Sequence, residues 1–66
     1  MSIAKIIEIS AESSTSFEDA TSKGIARAEK TLKNVQGAWI AEQKVTVKKG
    51  KIISYRVIMR VTFVLT

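Results

Sequence analysis

The sequence predicts an α+β domain of order β-α-β-β, a three-stranded antiparallel sheet with one helix packed on one face. Three observations carry that expectation. Residues 3–10 alternate with a period of two, and residues 17–32 repeat apolar side chains at three- and four-residue steps behind a capping serine. A second, longer period-two stretch closes the chain and is entered through a glycine-bearing turn.

Ile3 to Ser10 forms the first strand. Ile3, Ile7 and Ile9 share one side, while Ala4, Ile6, Glu8 and Ser10 share the other. The small polar run Ala11-Glu12-Ser13-Ser14-Thr15-Ser16 then reads as a loop. A helix is expected over 16–34. The Ser16 hydroxyl can accept an N–H that the first turn leaves unpaired, and Asp19 can bond back to the cap in a box-like arrangement. Phe17, Ala20, Gly24, Ile25, Ala28 and Leu32 make one apolar stripe, and acids at the start with bases at the end suit the helix dipole. Asn34 or Gly37 is placed to end it.

The second strand runs from Gly37 to Val47, and Lys48-Lys49-Gly50-Lys51 makes the hairpin turn. The last strand spans Ile52 to Thr66. Ile53, Tyr55, Val57, Met59, Val61, Phe63 and Leu65 lie on one face, the face expected to meet the helix. Its other face carries Ser54, Arg56, Arg60 and Thr62, but also Ile52, Ile58 and Val64. One helix cannot cover both sides of such a sheet, so the second side must meet water, a ligand or other subunits.

Size and composition push the choice towards subunits. The 66 residues make a single domain, 1–66. A chain of this length buries only roughly 60% of the surface that it exposes when unfolded. Cysteine and histidine are both absent, which removes disulfides, thiolate or imidazole metal sites, thiol nucleophiles and the usual neutral-pH base. Self-association is the remaining support. No apolar run reaches the ~18 residues of a membrane span, and the start lacks the pattern of a secretory signal; the expected location is cytoplasmic. The net charge of +5 admits a nucleic-acid partner, with Lys44, Lys48, Lys49 and Lys51 gathered near the hairpin tip. One Trp, one Tyr and two Phe do not make the basic-aromatic sheet of RNA-binding modules, so that partner is the weaker expectation. An enzyme is not expected. The six acids show no spacing that forces two together, although symmetry can gather identical carboxylates round an axis to hold a divalent cation.

Several segments resemble the dodecin family: Lys5-Ile6-Ile7-Glu8-Ile9, Ser14-Thr15-Ser16-Phe17-Glu18-Asp19-Ala20, Ala26-Arg27-Ala28-Glu29-Lys30-Thr31-Leu32-Lys33-Asn34, Glu42-Gln43, Gly50-Lys51-Ile52 and Tyr55-Arg56-Val57. The resemblance runs through nearly the whole chain. It implies a hollow homo-oligomeric shell of twelve copies and non-catalytic storage of riboflavin, FMN or FAD between subunits. It also exposes two departures. The family's flavin-stacking Trp and the Phe after it align with Gly37 and Ala38, and the Gln that bonds the flavin edge aligns with Arg56.

Trp39 lies two residues beyond Gly37 and so points to the same face, about 6.6–6.8 Å along a regular strand. With Val47 opposite Ile52, Gln43 would face Arg56 and Trp39 would face Arg60. The candidate ligand site is therefore Trp39, Gln43, Arg56 and Arg60, holding a flavin or another planar anion at a subunit boundary. The competing reading makes Trp39 an interface anchor and the arginines salt-bridge partners of Glu8, Glu42 or a neighbour's acids. A shell of the same type that binds no flavin and holds cations, or serves structurally, is the alternative function.

Overall fold

A computed structural model describes residues 3–65. Strand β1 (Ile3–Ser13) leads to helix α1 (Phe17–Thr31), then to β2 (Val35–Lys48) and β3 (Lys51–Leu65). The strands form one antiparallel sheet in the order β1-β3-β2, so the apolar last strand is central and the other two are its edges. The expected β-α-β-β architecture is the observed one. The expectation for Thr66 lies outside the described residues.

Strand β1 continues through Ser13, three residues beyond the expected end, because its register with β3 holds as far as Ser13↔Tyr55. The Ser13 side chain is buried and polar, and it is satisfied locally. Its hydroxyl donates to Asp19 Oδ2 at 2.5 Å and accepts the Thr15 N–H at 2.9 Å. Ser16 caps α1 as expected, its Oγ accepting the Asp19 N–H at 2.9 Å. Asp19 does not return a bond to the cap. Its carboxylate goes to Ser13 and to Lys23 one turn on, at 3.0 Å, and these two contacts, the Ser13 hydroxyl foremost, hold its pKa below the ordinary 3.8.

The helix stops earlier than expected. Leu32 leaves helical geometry while its N–H still reaches Ala28 O at 2.9 Å, and Asn34 then takes a left-handed φ of 61°. That conformation suits a short polar side chain better than most. The Val64 N–H donates to Asn34 O at 3.1 Å and ties this corner to β3.

The core lies between α1 and the inner side of β1 and β3. Val57, Met59 and Val61 are fully buried against Ala20, with Ile7, Ile9, Ala11, Phe17, Ile25 and Val35 packed round them. Phe17 meets Tyr55 edge to face at 5.2 Å and closes one end. Gly24 permits the close approach of helix and sheet, since a Cβ there would run into Met59 and stand 3.0 Å from Ala11 Cβ.

At the hairpin Lys49 and Gly50 both have positive φ, 53° and 77°, the combination of a type I′ turn. Strand β2 is irregular: its register against β3 shifts at Val35/Gly37, Ile40/Glu42 and Thr46/Val47. The molecule is long and thin, 51 × 19 × 13 Å, with a radius of gyration of 13.6 Å. A compact domain of this length would have about 11 Å. The excess comes from the β2–β3 hairpin, which runs beyond the reach of the 15-residue helix and leaves Val47, Ile52 and Ile53 exposed. Among the described residues no helix is long and apolar enough to cross a membrane.

Candidate functional site

The side of the sheet away from α1 is ordered into cross-strand rows, because directly paired residues of an antiparallel sheet share a face. From β1 through β3 to β2 the rows are Glu12–Arg56–Lys44, Ser10–Ile58–Glu42 and Glu8–Arg60–Trp39, followed by Ile6–Thr62–Gly37. No helix lies over them. Ile6 is 52% exposed and Trp39 is 44% exposed, so an apolar and aromatic surface sits among charges.

Of the four residues expected to form the site, the register brings Trp39 and Arg60 together. They are direct cross-strand partners, and the guanidinium carbon stands 6.0 Å from the Trp39 ring centroid, within cation–π range. Arg60 Nε also donates to Glu8 Oε2 at 3.2 Å. Glutamate, guanidinium and indole therefore cross the three strands in one line. The pairing with Glu8 agrees with the ion-pair reading of the arginines. The part of the ring that Arg60 leaves uncovered remains a free π surface.

Arg56 sits two positions away on β3 and grips Glu12, with Nε at 3.0 Å and Nη2 at 2.5 Å from the same oxygen. Its partner on β2 is not Gln43. Val47↔Ile52 pair as expected, but a shift beside Ile53 places Lys44 opposite Arg56, and Gln43 opposite Val57 on the helix side. A second shift at Ala41 restores the original count, so Trp39 still meets Arg60. Two bulges thus cancel at Trp39 and not at Gln43. Lys44 belongs to this face and not to the hairpin tip.

Glu42, Gln43, Lys44, Arg56 and Ile58 border an open hollow of about 530 Å³ beside the Trp39 row. Within it Lys44 and Arg56 are like charges set directly opposite, an unfavourable pair that Glu12 offsets from the far side. Glu42 forms no ion pair among the described residues, and no group of three His, Cys, Asp or Glu gathers among them in one chain. Lys44 and Glu12 are the site neighbours that sequence reasoning missed, and Glu42, expected as an ion-pair partner of the arginines, borders the hollow instead. The bulges that put the two β2 residues there sit at Ala41 and Ile53, which give no glycine or proline signal.

Sheet, single helix and a Trp–Arg–Glu row on the uncovered face together define a small β-α-β-β module with one side of its sheet free. The chain belongs to the dodecin family, whose model matches residues 3–66. It is 33% identical over 63 residues to the calcium dodecin of Mycobacterium tuberculosis, covering 96% of this chain and 89% of that one. Among solved structures it resembles a variant of T. thermophilus dodecin with a TM-score of 0.94 at 27% identity, over 100% of this chain and 98% of the other. A dodecin from Streptomyces davaonensis gives 0.92 at 28% identity, with 98% and 96% covered. The solved M. tuberculosis calcium dodecin, described as calcium chelating with a novel calcium-binding site, gives 0.83 at 32% identity, with 97% and 91% covered.

Proposed function

We propose that the chain is a single-domain, non-catalytic binding protein that works as a homo-oligomeric shell and holds a flavin ring against Trp39 where copies meet. The exposed indole on the helix-free face carries the reading. An aromatic ring of that size, fixed from one side by a guanidinium, is a stacking platform for a planar ligand. The dodecin resemblance supplies flavin as the ligand class and a twelve-copy shell as the assembly. Gly37 has no ring to offer, and Trp39 on the same face takes its place one row along the strand. Titration of riboflavin, FMN or FAD with the protein tests this through quenching of flavin fluorescence. Strong quenching by the wild type and its loss in Trp39→Ala is the expected pair of results; equal quenching by both removes Trp39 from the site.

A second reading rests on a different observation. Both outer-face arginines are already held by glutamates, while Glu42 has no ion pair among the described residues. Copies of Glu42 brought together on a symmetry axis would make an oxygen site for a divalent cation. The likeness to a protein named calcium dodecin supports that option. Calcium should then raise the melting temperature of the assembly, chelator should lower it, and Glu42→Gln should respond to neither.

A further inference from the structure

Strand β2 meets β3 in two frames. Val47↔Ile52 and Ile40↔Met59 both belong to the register counted from the hairpin turn, whereas Glu42 to Thr46 are paired one residue out of it. The extra residues that separate the frames are Ile53 on β3 and Ala41 on β2, one on each strand, so their effects cancel at Ile40. Pairing on either side is therefore the same whether both bulges are present or both are gone. Segment 41–46 can slip by one residue while Trp39, Val47 and the turn stay in place.

We infer that this segment exchanges between the bulged register and a slipped one in which Gln43, not Lys44, stands opposite Arg56. A one-residue slip turns every side chain of the segment to the other face, and it is strongly opposed only where one face is buried. Here both faces are open. Glu42, Lys44 and Thr46 are exposed on the helix-free side, and Gln43 is exposed on the helix side, beyond the reach of α1. The charges of Glu42 and Lys44 therefore stay in water in either frame. The slip pairs Ala41 with Ile58 and Ile53 with Thr46, which restores the ladder where each bulge interrupts it. It also ends the like-charge contact between Lys44 and Arg56. Against these gains, Val45 leaves its half-buried place beside Tyr55. The consequence lies in the hollow beside the Trp39 row. In the bulged frame it presents two cations, Lys44 and Arg56, and suits an anionic group such as a phosphate. In the slipped frame it presents Arg56 with a neutral amide. A bound anion thus selects the frame that gathers the cations. That last step rests on reading the helix-free face as a ligand surface; the slip itself does not.

The absence of cysteine gives a clean background for trapping each frame. Ser54 stands opposite Thr46 in the bulged frame, opposite Val45 in the slipped one, and opposite Val47 in neither. Ser54→Cys is combined in turn with Thr46→Cys, Val45→Cys and Val47→Cys, and each double variant is equilibrated in a glutathione redox buffer. The intrachain disulfide is read from the mass of the unreduced single chain under denaturing conditions, since only facing side chains come close enough to form one. The expected result is closure of the Thr46 and Val45 pairs and little closure of the Val47 pair. Replacing chloride by inorganic phosphate at equal ionic strength should shift the ratio towards the Thr46 pair by about two- to fivefold, the worth of one exposed charge contact. Failure of the Val45 pair to close overturns the slip. Equal closure of all three pairs overturns it too, because the arm would then be frayed and not held in two frames. A ratio indifferent to phosphate overturns the selection by anions. Flavin quenching by Trp39 is read in a separate titration, so failure of the ligand reading stays distinct from failure of the slip.

Discussion

Gly24→Ala is the substitution whose outcome the helix–sheet contact decides. In a helix open to solvent the change would stabilise, since alanine is favoured over glycine by about 0.8–1.0 kcal/mol. Here the new methyl group would overlap the Met59 side chain and stand 3.0 Å from Ala11 Cβ. Met59 can swing its terminal carbon aside, but Ala11 Cβ moves only with its strand. Overpacking of this kind costs about 1–3 kcal/mol, so the net effect should be a loss of about 0–2 kcal/mol. That is a large share of the roughly 3–10 kcal/mol expected for a domain of this length. Urea unfolding followed by circular dichroism, at one protomer concentration throughout, would measure it. Repeating the change in a Met59→Leu background, which shortens the obstructing side chain, should reduce the loss by at least about 0.5 kcal/mol. A stabilisation near 1 kcal/mol in both backgrounds would refute the close packing at Gly24.

Two further outcomes follow from local geometry. Ser13 and Lys23 depress the pKa of Asp19 below 3.8, so its contribution to stability is complete above that value and lost as pH falls through the lower folded-state value. The stability gap between wild type and Asp19→Asn should therefore be constant at neutral pH and shrink below about pH 4; a gap that persists to pH 2 would contradict the Ser13–Asp19 contact. Lys49 holds a φ of 53° in a type I′ turn, a position that asparagine tolerates better. Lys49→Asn should gain about 0.5–1 kcal/mol, read as a rise of roughly 2–8 °C in the melting temperature; no rise would count against the turn assignment.

Periodicity made most of this fold legible. The alternation from Ile53 to Leu65 marks the central strand, and Val57, Met59, Val61 and Phe63 are buried as that alternation requires. Ser16 announces the helix start because its hydroxyl is what the first turn lacks. Ser13 was illegible for the opposite reason. A short polar residue reads as loop, and the Asp19 carboxylate and the Thr15 N–H, which satisfy its hydroxyl, make its burial within a strand tolerable. At the candidate site, counting from the turn put Trp39 opposite Arg60 correctly and Gln43 opposite Arg56 wrongly. An alternating pattern records which residues are apolar but not where a strand gains an extra residue, and neither Ala41 nor Ile53 is a residue type that marks a bulge. The choice between Glu8 and Glu42 as the partner of Arg60 likewise depended on cross-strand register. With β3 between both edges, the register decides it: Glu8 of β1 stands opposite Arg60, while on β2 Trp39 takes that position and Glu42 faces Ile58.

Sedimentation of the purified protein at micromolar dilution tests the central claim most directly. A sheet with one uncovered face and a β2 edge outside the reach of its helix should travel as a discrete multiple of 7.3 kDa, with Trp39 shielded from solvent quenchers of indole emission. A stable, cooperatively folded species of one chain, with Trp39 open to quencher, would contradict it.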